Sequence, residues 1–154
     1  MAKEILSILH GFLGTIFLMG FSGAFAELIE LTNAGIRRIK LGTLTMLVTS
    51  VLLDVTGAII YVYYRAPVPE SARSKILAGT TPWVHTVLFE LKEFVAVYVP
   101  VILVVAVYVA WHHASEIGTN RTIRMILSAL LVLATLVTLL TFGLGAYVTK
   151  VQPL

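Results

Sequence analysis

Cysteine is absent from the chain, which excludes disulfides, thiol redox chemistry and cysteine-ligated metal sites. Charge is scarce as well: Asp, Glu, Lys and Arg make up 12% of the residues, about half the share of an ordinary soluble domain. Side-chain amides are nearly missing, with one Gln and two Asn (Asn33 and Asn120), a depletion that fits thermophile composition. No internal repeat and no low-complexity tract is present. These lacks leave too little polar material for a water-exposed surface.

What remains is apolar. Hydrophobic residues are 58% of the chain and its mean hydropathy is +0.96. Apolar runs long enough to cross a bilayer, at roughly 20 residues each, cover about 5–31, 40–65, 82–113 and 122–149. The first run exceeds the about 7–15 apolar residues of a signal-peptide core, so it counts as a span. The expectation is an all-α four-helix transmembrane bundle, up-down-up-down, with both termini on one side. The 154 residues then form a single integral membrane domain, multi-pass, in a prokaryotic plasma membrane.

The net charge of +3 does not point to nucleic acid, because the basic residues sit at helix ends, where they anchor in the interface. Orientation stays undecided by charge. Arg37, Arg38, Lys40, Arg121 and Arg124 on one side balance Lys3, Arg65, Arg73, Lys75 and Lys150 on the other. The third span runs 32 residues from Pro82 to His113, or about 48 Å at 1.5 Å per residue, and Pro100 is expected to kink it. Pro69 followed by "ESARSKIL" predicts a short surface helix with proline in its first turn. Glycines Gly11, Gly14, Gly20 and Gly23 on the first span predict close helix contacts.

Four histidines are present. His10 and His85 fall at matched depth on the first and third spans, the placement that a bis-histidine haem between bundle helices requires. Gly14, one turn below His10, would leave room for the macrocycle, with Phe17 and Phe21 as apolar walls. Arg65, Arg73 and Lys75 lie on the side where haem propionates would emerge. His112 and His113, beside Trp111, read as interfacial anchors.

The stretch "FELKEF" sets Glu90, Lys92 and Glu93 inside the third span, and Asp54 lies at the depth of Lys92 on the second. Asp54 shares a face with Thr43, Ser50, Gly57 and Tyr61. An ionised side chain there costs at least about 2.5–3.5 kcal/mol without a partner, so an Asp54–Lys92 pair is expected. Three carboxylates against one ammonium leave an excess that protons, a cation or water must relieve. Ser128, Thr135, Thr138, Gly145 and Thr149 mark the inward side of the fourth span.

With "ILHGFLG" opening the first span and "PWVHTVLFE" opening the third, the chain resembles the small four-helix b-type membrane cytochromes, broadly the cytochrome b561-like group. The resemblance is one of architecture. It implies haem held by histidine pairs and electrons passed to or from a quinone or a small redox partner protein. Only His10 and His85 qualify as intramembrane ligands, so one haem b is expected. "FELKEF" has no counterpart in that pattern. The first functional expectation is therefore a membrane b-type cytochrome, an electron-transfer oxidoreductase with proton coupling through the carboxylates. The alternatives are a cofactor-free proton- or ion-conducting transport protein that uses Asp54, Lys92, Glu90 and Glu93 as its relay, and a structural subunit of a membrane complex. A homo-oligomer is compatible with each.

Overall fold

A computed structural model describes residues 2–151, with side chains from Glu4 onward; Lys3, counted above, lies outside the described side chains. Every regular element among the described residues is helical. In chain order they are α1 (Ala2–Ile29), α2 (Gly35–Tyr64), α3 (Ala72–Ala78), a π-helical segment (Val84–Phe89), α4 (Glu90–Ala96), α5 (Tyr98–His112) and α6 (Arg121–Val151). Four stretches are long and apolar enough to cross a membrane: Glu4–Ile29, Gly35–Tyr64, Val84–His112 and Arg121–Val151. A helix satisfies its own backbone donors and acceptors, which is what hydrocarbon demands of any crossing segment. Large apolar side chains such as Ile8, Phe12, Phe94 and Leu136 stand exposed on the outer faces, where they suit lipid. The chain is thus a multi-pass helical membrane protein.

α2 packs against α1 and α5, and α6 closes against α5, α4 and α1. The tightest approach is between α1 and α2. A Cβ added to Gly42 would lie 2.6 Å from the Gly20 carbonyl oxygen and 2.7 Å from the Ala24 Cβ. Of the four glycines expected at helix contacts on α1, Gly20 alone is pressed against a neighbour. Gly11, Gly14 and Gly23 have nothing within 4 Å of an added Cβ.

One half of the bundle is a dry core. Phe17, Met46, Leu103, Ala106, Leu127 and Leu131 are all fully buried there. Phe17 and Phe21 belong to this core rather than to a cofactor wall. The turn that joins α1 to α2 is fastened by Glu27, which accepts from Arg38 at 2.7 Å and from the Thr32 amide at 2.9 Å. At the start of α6, Asn120 acts as a cap. Its Oδ1 accepts from the Thr122 amide at 3.0 Å. Nearby, the hydrogen bond from His113 holds the Glu116 carboxyl below its ordinary range.

The third crossing stretch is the irregular one. It opens with the π-helical segment and breaks at Val97, between α4 and α5. The break falls three residues before Pro100, whose missing N–H leaves the Ala96 carbonyl without its helical donor. The surface helix also starts later than the proline pattern suggests. α3 begins at Ala72 because Ser71 caps it, accepting from the Ser74 amide at 3.2 Å. Ala72 and Ile76 then dock α3 into a second small core with Tyr64, Val84, Phe89 and Val148.

Candidate functional site

The other half of the bundle encloses a cavity of about 640 Å³. Four helices line it, together with Phe89 of the π-helical segment. α1 contributes the stretch from Ser7 to Gly14, α2 that from Leu53 to Tyr64, α4 Lys92 and Glu93, and α6 that from Thr138 to Thr149. The polar face expected on α2 turns Asp54, Gly57 and Tyr61 into it, and the expected inward side of α6 turns in Thr138, Gly145 and Thr149. Gly11 on α1, Val55 and Ala58 on α2 and Phe142 and Ala146 on α6 line the cavity and are exposed, so it is open towards the outer faces of the bundle. A smaller void of about 40 Å³ continues inward past Asp54 to Ser50, large enough to hold a water. Beyond it the dry core begins, and there the Thr135 hydroxyl is buried without a partner.

The ion pair inside this site differs from the expected one. Lys92 Nζ lies 3.3 Å from Glu93 Oε1, its own neighbour, and no Asp54–Lys92 bridge forms. The Lys92 stem is fixed by its surroundings. Its Cε lies 3.3 Å from where a Gly145 Cβ would stand, and its ammonium sits 5.2 Å from the centroid of the Phe89 ring. Gly145 leaves room for Lys92: a Cβ there would require the lysine stem to give by a few tenths of an ångström.

His10 lines the cavity, and its tautomer follows from its partner. The Thr56 hydroxyl gives its one hydrogen to the Leu52 carbonyl at 2.8 Å, so it accepts from His10 Nδ1, also at 2.8 Å. His10 Nε2 then keeps an open lone pair. Gly11 and Gly14 leave the wall beside it bare.

His85 is placed differently. It is buried, outside the cavity lining, and shielded by Tyr64 and Phe89, whose rings stack at 4.1 Å and face the cavity. Arg73 Nε reaches over from α3 and bonds His85 Nε2 at 3.0 Å. A guanidinium has only donors, so Nε2 accepts and the ring proton on Nδ1 goes to Tyr64 Oη at 3.1 Å. Both nitrogens are taken. As arranged, His10 and His85 do not form a bis-histidine pair, and the residues present do not fit a haem held in that way. Arg73 is engaged with His85 rather than open to a propionate, Arg65 bonds the Tyr61 hydroxyl at 3.2 Å, and Lys75 is exposed on α3. Glu90 Oε1 lies 3.9 Å from His85 Nε2, so Glu90 belongs with the Arg73–His85 group and not with the cavity.

Comparison with family models, with curated proteins and with solved structures returns no match. The reading of the site therefore rests on its own chemistry. No group of three or more His, Asp or Glu side chains converges as a metal site among the described residues. At the far end His113 Nδ1 bonds Glu116 Oε1 at 2.8 Å and His112 stacks on Tyr108, contacts that suit the anchoring role expected of them.

Two features of the site were not visible in the sequence pattern. The π-helical turn carries no composition signature of its own, although such turns recur at functional sites. Tyr64, at the end of "YVYYR", is fully buried and holds His85.

Proposed function

We propose that this protein crosses the bilayer four times, up and down, with both termini on one side, and exchanges protons and a small ligand at the cavity. It is a transport-type protein in this reading, with His10, Asp54, Lys92 and Glu93 as the groups that handle charge. One observation carries it: these four side chains, from three different helices, converge on a single cavity in one half of the bundle. The opposite half is sealed by fully buried apolar residues. Ionisable groups are expensive inside a membrane and are kept there for ion or proton traffic. A sealed far side makes the cavity an access chamber rather than an open pore. His10 Nε2 supplies a proton acceptor, and Asp54 supplies a carboxyl free of any ion pair. The void beside Ser50 gives water a place next to Asp54.

Infrared difference spectra across pH test this reading. The purified protein should show a protonated carboxyl band that exchanges within the mixing time in heavy water. That band should vanish in Asp54→Asn, with Glu93→Gln leaving it in place. No such band, or the same band in Asp54→Asn, would remove the proposal. The haem reading remains the second proposal, favoured by the open Nε2 of His10 beside the bare wall at Gly14. It requires Arg73 to release His85. An absorption spectrum separates the two, since a Soret band lost in both His10→Ala and His85→Ala would restore the bis-histidine assignment.

A further inference from the structure

The charges around the cavity can be paired one by one. Glu93 is matched by Lys92 at 3.3 Å. Glu90 lies outside the cavity, 3.9 Å from the imidazole nitrogen that Arg73 donates to at 3.0 Å. Asp54 forms no ion pair among the described residues, and Lys92, whose charge reaches it, is already held by Glu93. Asp54 lines the cavity, half-buried, and the groups that face the cavity with it are His10 from α1, Tyr61 and Tyr64 from α2, and Lys92 and Glu93 from α4. α6 contributes no ionisable side chain to the lining. One negative equivalent is left over in a chamber far larger than any metal ion.

The walls say what kind of cation suits it. A calcium ion takes about 6–8 oxygen ligands drawn close around it, and no group of three or more His, Asp or Glu side chains converges among the described residues. Tyr61, Tyr64 and Phe89 instead form a stack of parallel rings, with Tyr61–Phe89 centroids 5.3 Å and Tyr64–Phe89 centroids 4.1 Å apart. This stack already attracts cations: Lys92 lies 5.2 Å from Phe89, and Arg65 lies 5.4 Å from Tyr61. In the same lining, Gly11 and Gly14 leave a bare stretch of α1. Because exposed apolar residues share that lining, a membrane-dissolved molecule can enter without passing through water.

We infer that the cavity binds a lipophilic organic monocation, an amine or onium compound, with its charge against Asp54 and its apolar body between the ring stack and the glycine wall of α1. This rests on the proton-exchange reading above and names its ligand class. Binding and protonation compete for one carboxylate. When the cation enters a protonated site, the Asp54 O–H proton leaves to solvent as the positive charge arrives, so the charge in the chamber is unchanged.

The full-length protein in detergent, titrated with tetraphenylphosphonium against a blank of empty micelles, tests the inference. One cation should bind per chain, with about one proton released below the titration of Asp54 and an affinity that falls about tenfold per pH unit there. Asp54→Asn should keep the fold and weaken binding about tenfold or more, as expected when one side of a charge pair is removed. The size-matched anion tetraphenylborate should bind at least as weakly as the cation does to Asp54→Asn. Equal binding of the cation by the wild type and Asp54→Asn, or preference for the anion, overturns the inference. If the Asp54 carboxyl band titrates while the phosphonium fails to bind, the cation is wrong and the proton-exchange reading stands. If the band is absent as well, both fall.

Discussion

Replacing Gly42 by leucine should cost about 3 kcal/mol of stability or more, at the upper end of the range for overpacking. The reason is what the new side chain would meet. Its first carbon alone would stand 2.6 Å from the Gly20 carbonyl oxygen and 3.2 Å from the Ala24 amide nitrogen, both of them backbone atoms of α1. Flexible side chains can turn aside, but a helix backbone can only move as a whole. α1 would have to lift from α2, and with it would go the burial of Phe17, Ala24 and Met46 in the dry half of the core. Lipid gives no hydrophobic compensation for the separated faces, since close packing is what drives such helices together. Gly23→Leu provides the control, because nothing lies within 4 Å of an added Cβ there. Unfolding in mixed micelles should show Gly42→Leu strongly shifted and Gly23→Leu close to the parent. Equal shifts would mean that the α1–α2 contact is not where stability resides.

The same contrast shows how far a sequence can be read. Four crossings were legible because the thickness of hydrocarbon fixes their length, and nothing but a run of about 20 apolar residues satisfies it. The inward faces of α2 and α6 were legible too. Both are unbroken helices, so a count at 100° per residue keeps its phase from Ser50 to Tyr61 and from Thr138 to Thr149. The third crossing defeated that count. Counting at 100° per residue puts Lys92, seven residues on, close to the face of His85, but that count assumes an α-helix and Val84–Phe89 is π-helical. A π-turn takes more residues per revolution than an α-turn, so the phase slips between the two positions. His85 turns away behind Tyr64 and Phe89, while Lys92 and Glu93 reach the cavity. The azimuth of His85 is where the count failed. The bond from Arg73 to His85 was illegible for another reason. Arg73 stands on α3, whose position depends on Ala72 and Ile76 finding a tertiary pocket rather than on any periodic signal.

Lys92→Met should destabilise the protein by about 2 kcal/mol, and Glu93→Gln in the same chain should recover more than half of that loss. Removing one member of a fully buried pair costs about 3–5 kcal/mol. Here the side chains of Lys92 and Glu93 retain 18% and 33% exposure, so solvent screens part of the effect. What remains is a Glu93 carboxylate that faces the cavity without its ammonium. Glutamine keeps the shape and removes the charge that has lost its partner. Asp54→Leu in the Lys92→Met background should bring no comparable recovery, because Asp54 forms no ion pair with Lys92. The two double variants therefore discriminate between partners that counting along the helices cannot separate, Asp54 and Glu93 being at similar depth. Unfolding free energies of the three variants and the parent in mixed micelles supply the measurement. Rescue by Asp54→Leu and not by Glu93→Gln would make Asp54 the true counter-charge of Lys92. It would also dissolve the uncompensated carboxylate on which cation binding depends, because Glu93 would then be the group left over.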